Sequence, residues 1–142
     1  MFMGEYHPVI DEKGRVAVPA KLRKAFGDSD KLVITHGFDR CIMAFREADW
    51  KNFVEQKLIP LSQGDAANRK RIRFLLGGAV DCELDKQSRL IIPQYLQEYA
   101  GISKEVTILG VYDRFEIWAE AEYKKYKPKG KELDSFALDL GF

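Results

Sequence analysis

The stretch "IDEKGRVAVP" at residues 10–19 has the residue order of a tight β-hairpin that leads into a helix. Its Asp suits the start of a turn, because the carboxylate accepts hydrogen bonds from backbone N–H groups two or three residues on. Gly14 tolerates the positive φ that such a turn needs. Pro19 has a φ already suited to a first helical turn. The stretch "LDKQSRLIIP" at residues 84–93 repeats the Asp, Arg and Pro at the same spacing.

The two hairpins belong to a longer internal repeat. A shift of 74 positions aligns residues 11–50 with 85–124 without an insertion and gives nine identities. These identities fall mainly on turn, cap and polar positions, where chance matches would not concentrate. The pattern therefore predicts two copies of one unit. The identical pairs are Asp11 and Asp85, Arg15 and Arg89, Pro19 and Pro93, Leu22 and Leu96, Gly27 and Gly101, Ser29 and Ser103, Ile34 and Ile108, Asp39 and Asp113, and Arg40 and Arg114.

Each copy is predicted to form a strand, a turn, a strand, a short helix and a second hairpin. The first strands are predicted at 8–10 and 82–84, and Gly27 and Gly101 are predicted to end the short helices. One copy has too little apolar area to fold alone. We therefore expect an α+β fold in which both copies share one core, as an intramolecular pseudo-two-fold β-barrel with short flanking helices.

Helical spacing of apolar residues predicts two connecting helices, at 46–58 and 66–76. The tail after Ala121 changes from basic to acidic and apolar, and its Pro and Gly argue against one continuous element. The predicted organisation is a first repeat at 5–50, connecting helices at 51–76, a second repeat at 77–123 and a C-terminal tail at 124–142.

Composition narrows the class of protein. The apolar fraction of 46% supports an ordinary packed core, and 23 basic against 22 acidic residues favour no particular partner. Cys41 and Cys82 are isolated and two histidines lie near no paired ligand, so we expect neither a metal site nor any other cofactor. The sequence shows neither a signal segment nor a long apolar run, so we expect a cytoplasmic protein that neither binds nor spans a membrane.

The segments "VIDEKGRVAVPAKLRKAFG" (9–27) and "RFLLGGAVDCELDKQSRLIIP" (73–93), with the opening "MFMGEYHPVID", resemble the AbrB/SpoVT family of swapped-hairpin DNA-binding domains. The resemblance extends over about residues 1–125. It implies a swapped-hairpin barrel made by the two halves of one chain, with the Asp-x-x-x-Arg hairpins facing DNA. It further implies a ring-like homo-oligomer associated with the nucleoid. Such a ring would bind short direct repeats of double-stranded DNA in the promoter of the division and cell-wall gene cluster.

Local charge indicates which residues would contact DNA, because affinity comes largely from Lys and Arg that meet phosphates. Residues 11–24 have net charge +3, whereas the matching 85–98 have net charge zero. Asp11 and Asp85 are predicted to orient Arg15 and Arg89, whose planar guanidinium groups suit bidentate contacts to a phosphate or a guanine edge. The predicted DNA-contacting residues are Lys13, Arg15, Arg23, Lys24, Lys86 and Arg89.

Other interpretations of the same residues stay open. Asp–Arg pairs across hairpins also serve as structural links within a fold. The basic run at 68–73 suits a solvated helix face, a DNA contact or an acidic neighbouring subunit. At the level of function, the alternative is a ring-forming adaptor or assembly protein that does not act on DNA. An enzyme is disfavoured, because the sequence has no nucleophile–base pair and no phosphate-binding loop.

Overall fold

Residues 1–142 of the computed structural model form eight strands and six helices. The strands are β1 (Phe2–Tyr6), β2 (Arg15–Ala17), β3 (Lys31–His36), β4 (Ile42–Arg46), β5 (Val80–Glu83), β6 (Arg89–Ile91), β7 (Val106–Tyr112) and β8 (Phe115–Ala119). The helices are α1 (Ala20–Lys24), α2 (Glu47–Phe53), α3 (Ala66–Gly77), α4 (Gln94–Ala100), α5 (Glu120–Tyr126) and α6 (Lys131–Asp139). A π-helical turn, Val54–Leu58, extends α2. The fold class is α+β.

The strands form two antiparallel sheets. Six strands pair in the order β1-β7-β8-β4-β3-β5, and the remaining two, β2 and β6, pair only with each other. The larger sheet has β1 and β5 as its edges. Each edge strand pairs with a strand from the other half of the chain, so the halves are interleaved rather than set side by side.

The strand registers are related by the 74-residue shift found in the sequence. Tyr6 pairs with Ile108, and the shifted pair is Val80 with Ile34. At the centre of the large sheet, Met43 pairs with Glu116, and Ile42 pairs with Ile117. The pairing therefore has an approximate two-fold relation whose axis passes between β4 and β8 and between β2 and β6.

One main core joins both sheets and both halves. It contains 21 buried residues, including Val16 of β2 and Leu90 of β6, which lie beneath the two-stranded sheet. Phe2 packs edge-on against Phe26 and Phe115, with ring centroids 5.6 Å and 5.7 Å away. A smaller cluster on the other face of the sheet holds α2 and α3 in place through Phe45, Leu58, Leu75 and surrounding aromatic rings.

One predicted strand differs in position from the structure. The strand expected at 8–10 lies upstream at Phe2–Tyr6, and Val9 and Ile10 make only isolated bridges. Gly4 has φ 104° in β1 and pairs with Gly110, so two residues without side chains meet where the strands approach closely. The predicted helices at 46–58 and 66–76 agree with α2, its π-helical turn and α3. The tail forms two helices, α5 and α6.

Neither cysteine is disulfide-bonded. Cys41 is buried and Cys82 is half-buried. Burial raises the pKa of both thiols, that of Cys82 to about 11. Both side chains are therefore protonated at neutral pH and pack as small apolar groups.

Candidate nucleic-acid interface

The two-stranded sheet of β2 and β6, which we call the ribbon, has one buried and one outward face. Val16 and Leu90 lie opposite each other and are buried. Because side chains alternate along a strand, the residues on either side of them point outward. The outward residues are Arg15 and Ala17 of β2, and Arg89 and Ile91 of β6.

The register places the two arginines as diagonal neighbours on the outward face. Arg15 is opposite Ile91, and Arg89 is opposite Ala17. Diagonal neighbours in an antiparallel pair are about 7–8 Å apart. Two arginines that are 74 positions apart in sequence therefore form one basic site across the ribbon.

Asp11 fixes the first turn and holds Arg15. One carboxylate oxygen, Oδ1, accepts hydrogen bonds from the backbone N–H groups of Lys13 and Arg15, both at 2.9 Å. The other oxygen, Oδ2, accepts the Nε–H of Arg15 at 2.6 Å. Because the contact uses Nε, both terminal amino groups of the guanidinium stay free for a ligand. The turn closes with φ 78° at Gly14.

Asp85 repeats this arrangement in the second turn. Its Oδ1 accepts the backbone N–H groups of Gln87 and Arg89 at 2.9 Å, and its Oδ2 accepts the Nε–H of Arg89 at 2.8 Å. Ser88 takes the left-handed conformation, with φ 58°, that Gly14 takes in the first copy. In both turns the aspartate accepts backbone N–H groups two and four residues on, where two or three residues on were expected.

The same hydrogen bonds lower the pKa of both aspartates. For Asp11, the backbone N–H of Arg15 has the largest effect, its guanidinium adds to it, and the N–H of Lys13 contributes as well. Asp85 has the equivalent set of donors, led by the backbone N–H of Arg89. Both carboxylates are therefore ionised at neutral pH and already saturated with donors, which keeps their charge engaged within the turn.

The lowered pKa values predict how the turns respond to acid. A carboxyl whose pKa is lower in the folded state contributes stability above its ordinary pKa and loses it as pH falls through the folded value. We expect NMR titration of the side-chain carbons to give pKa values below 3.8 for Asp11 and Asp85. Arg15→Ala should raise the pKa of Asp11 part of the way, because the backbone N–H remains. Asp85 is the internal control, and an equal rise there would contradict the pairing.

The other predicted contact residues divide into two groups. Lys13, Lys24 and Lys86 are exposed, and Lys13 and Lys86 lie in the two turns at the ends of the ribbon. Arg23 is engaged elsewhere. Its guanidinium forms an ion pair with Asp30 and lies 5.6 Å from the ring centroid of Phe26. The structure therefore groups the turn lysines with Arg15 and Arg89, and it directs Arg23 into an intramolecular contact.

Sequence reasoning missed three residues at the ribbon. Ala17 and Ile91 lie on its outward face, and Ile91 is 59% exposed. The alternation of buried and exposed residues on either side of Val16 and Leu90 would have predicted that both point outward. Gln97 donates to the carbonyl of Ile92 at 2.7 Å beside Gly14, which leaves no room for a side chain there. The packing of Gln97 against Gly14 crosses between the two halves, and no sequence pattern indicates it.

The basic run of α3 forms a separate exposed surface. Arg69 donates to the backbone carbonyl of Gln63 at 3.0 Å, and Arg71 donates to Asn68 at 2.6 Å. Asp65 caps the helix by accepting the N–H of Ala67 at 2.8 Å. These contacts are local to the helix and its preceding loop, and α3 packs on β3, not on the ribbon.

Neither a metal site nor a membrane span is found. No group of three His, Cys, Asp or Glu side chains is arranged to hold a metal ion. None of the six helices has the length and apolar character needed to cross a bilayer.

Comparison with known proteins identifies the family. A family model described as "MraZ protein, putative antitoxin-like" matches residues 1–72 and 75–139. The two matches begin 74 residues apart, which is the shift seen in the sequence and in the strand registers.

Named relatives agree with this match. A protein of Caldanaerobacter subterraneus subsp. tengcongensis named "Transcriptional regulator MraZ" is 46% identical, with 89% of this chain and 86% of the relative covered. A protein of the same name from Clostridium beijerinckii is 45% identical, with 99% of both chains covered. One from Natranaerobius thermophilus is 44% identical, with 92% of this chain and 90% of the relative covered. With both repeats matched and identity near 45% along nearly the whole length, this chain belongs to the MraZ family.

Proposed function

We propose that this chain is a sequence-specific DNA-binding transcriptional regulator that contacts double-stranded DNA through the ribbon. Its targets are short direct repeats in the promoter of the division and cell-wall gene cluster, and it acts in the cytoplasm at the nucleoid. The observation that carries this proposal is the pair of Asp-held arginines on one outward face of a two-stranded sheet.

The shape and chemistry of the ribbon suit the major groove. The major groove of B-DNA admits a two-stranded β-ribbon, and arginine is the commonest reader of guanine there. Each aspartate binds Nε, so the terminal amino groups can meet a phosphate or a guanine edge. Ile91, exposed between the arginines, offers an apolar contact for a thymine methyl group.

Phosphate contacts would come mainly from the first repeat. Lys13 and Lys24 are exposed there, and their counterparts in the second repeat are Gln87 and Glu98. Lys86 adds one cation at the second turn. Arg23 contributes to DNA binding only if its ion pair with Asp30 opens, so we assign it a smaller role than Arg15.

Assembly into a ring-like homo-oligomer would turn weak contacts into specific binding. One ribbon offers few phosphate contacts, and linked subunits on regularly spaced repeats gain from effective concentration. We further propose that each chain is one swapped-hairpin unit in which the ribbon and the larger sheet enclose the shared core as a barrel. The repeats at 5–50 and 77–123 would form this unit, 51–76 would connect them, and 124–142 would form a tail.

The salt dependence of binding tests this function against the adaptor alternative. DNA binding that releases counterions weakens with salt, by a log–log slope of about −0.9 per phosphate contact. Fluorescence anisotropy on a duplex that carries the direct repeats of the proposed promoter should give a steep slope. Lys13→Gln should make the slope shallower by about 1 per bound subunit.

Lys51 provides the matched control. It is 77% exposed on α2 and faces only Glu55, at 3.9 Å, so Lys51→Gln should leave the slope unchanged. No shift of the duplex at low salt would refute DNA binding and favour the adaptor. An equal change with both variants would indicate that net charge, not the ribbon, governs binding.

A further inference from the structure

The C-terminal helix α6 has an apolar face that nothing in its own chain covers. Leu133, Phe136 and Leu140 are 51%, 47% and 75% exposed, and no residue of the helix is buried. The hydrogen bonds of α6 are all within residues 129–142, and it makes no ion pair. A helix with large exposed apolar residues marks an interaction surface.

The spacing of these residues defines one binding face. Leu133, Phe136, Ala137 and Leu140 follow the i, i+3, i+4, i+7 pattern by which a helix fills a groove. Glu132, Asp134 and Asp139 surround this face with negative charge. The helix is therefore acidic and amphipathic, and it is about 14 Å long.

A groove of matching chemistry lies elsewhere on the same chain. It has a volume of about 370 Å³, and most of its lining is apolar. Phe53, Leu58, Leu61 and Phe74 form its wall, between the π-helical turn after α2 and the helix α3. Phe38, which is 60% exposed, lies at one side, and Lys57 and Arg71 supply positive charge. Arg71 belongs to the basic run of α3.

We propose that α6 of one copy binds this groove of a second copy. The apolar face would fill the groove while the acidic residues meet Lys57, Arg71 and the neighbouring arginines of α3. This pairing gives the basic run a partner that is not DNA. In the structure of one chain, α6 and the groove are apart: α5, from which α6 extends, packs on β7 and β8, whereas the groove-forming helices pack on β3 and β4.

The contact is heterologous, because two different surfaces meet. Such contacts build rings where the rotation closes and open chains where it does not. The inference therefore rests on the proposed self-assembly and names the surfaces that produce it. A nine-residue helix makes a small interface, so one contact alone is weak and closure of a ring strengthens it.

Two complementary variants test the proposal. Phe136→Glu places a charge in the centre of the helix face, and Phe38→Glu places one at the groove, both at exposed positions. By light scattering after size exclusion, each variant alone should be monomeric. Mixed together at the highest soluble protein concentration, where a single weak contact can form, they should show a one-to-one dimer by sedimentation velocity, because the intact helix of the Phe38→Glu chain still fits the intact groove of the Phe136→Glu chain.

Leu138→Glu is the matched control, since Leu138 is 77% exposed on another side of the same helix. It should assemble like the unmodified protein. Mixed variants that stay monomeric at that high concentration would overturn the proposal. If Leu138→Glu disrupts assembly as much as Phe136→Glu does, the proposal would also be overturned.

The two underlying proposals fail in distinguishable ways. Unmodified protein that is monomeric at micromolar concentration would overturn both self-assembly and this contact. Unmodified oligomers that Phe136→Glu leaves intact would overturn the α6 contact alone. DNA binding is tested separately through Arg15, which lies on the ribbon and contacts neither α6 nor the groove.

Discussion

Arg15→Ala is expected to abolish specific DNA binding in a gel-shift assay at moderate salt, while secondary structure and assembly stay unchanged. Arg15 supplies half of the basic site on the ribbon and is exposed enough to be removed without opening the core. Loss of one bidentate arginine contact costs about 1–3 kcal/mol, or roughly 5- to 150-fold in affinity. In an oligomer every subunit loses the contact, so the losses multiply across the bound repeats.

Arg89→Ala is the matched comparison for Arg15→Ala. The two arginines have the same geometry, but only the first repeat has a surplus of positive charge around it. We expect a smaller loss with Arg89→Ala. Equal losses would refute the asymmetry between the repeats, and unchanged affinity with Arg15→Ala would refute the assignment of the ribbon itself.

Gly110→Ala is expected to separate β1 from the sheet. A Cβ atom at Gly110 would lie 2.2 Å from the backbone nitrogen of Met3 and 2.5 Å from its Cα, so β1 would have to move. That movement would draw Phe2, which is 1% exposed, out of the core. Loss of a buried phenylalanine costs about 3–5 kcal/mol, and we expect a decrease of that size in the free energy of unfolding by urea.

Gly77→Ala is the control for this prediction. A Cβ at Gly77, the last residue of α3, would meet no atom within 4 Å. Alanine is also the better helix former, so stability should be unchanged or slightly raised. A similar loss of stability with both substitutions would show that the close approach of β1 to β7 is not the reason for glycine at position 110.

The hairpins were predictable from sequence because their structure is local. The aspartate, its backbone donors and its arginine lie within five residues, so turn chemistry alone specifies the geometry around Asp11 and Asp85. The 74-residue shift then predicted that the two units would correspond. Helices α2 and α3 were predictable for a similar reason, since apolar spacing reveals one buried face.

The remaining features depend on contacts between distant residues. The position of β1 rests on the approach of Gly4 to Gly110, which neither local sequence indicates. Arg23 forms an ion pair with Asp30, which lies in the loop before β3, and therefore does not join the basic surface. The diagonal placement of Arg15 and Arg89 follows from the register of β2 against β6, which belongs to the assembled fold and not to either hairpin.

Hydrogen exchange, measured by mass spectrometry with and without promoter DNA, tests the central claim most directly. The unmodified protein has two candidate basic surfaces, the ribbon and the exposed face of α3. We predict that DNA slows exchange in the two turns, at 11–15 and 85–89, and leaves α3 unaffected at equal oligomeric state. Slower exchange confined to α3, with the turns unchanged, would contradict the assignment of the ribbon as the DNA-binding surface.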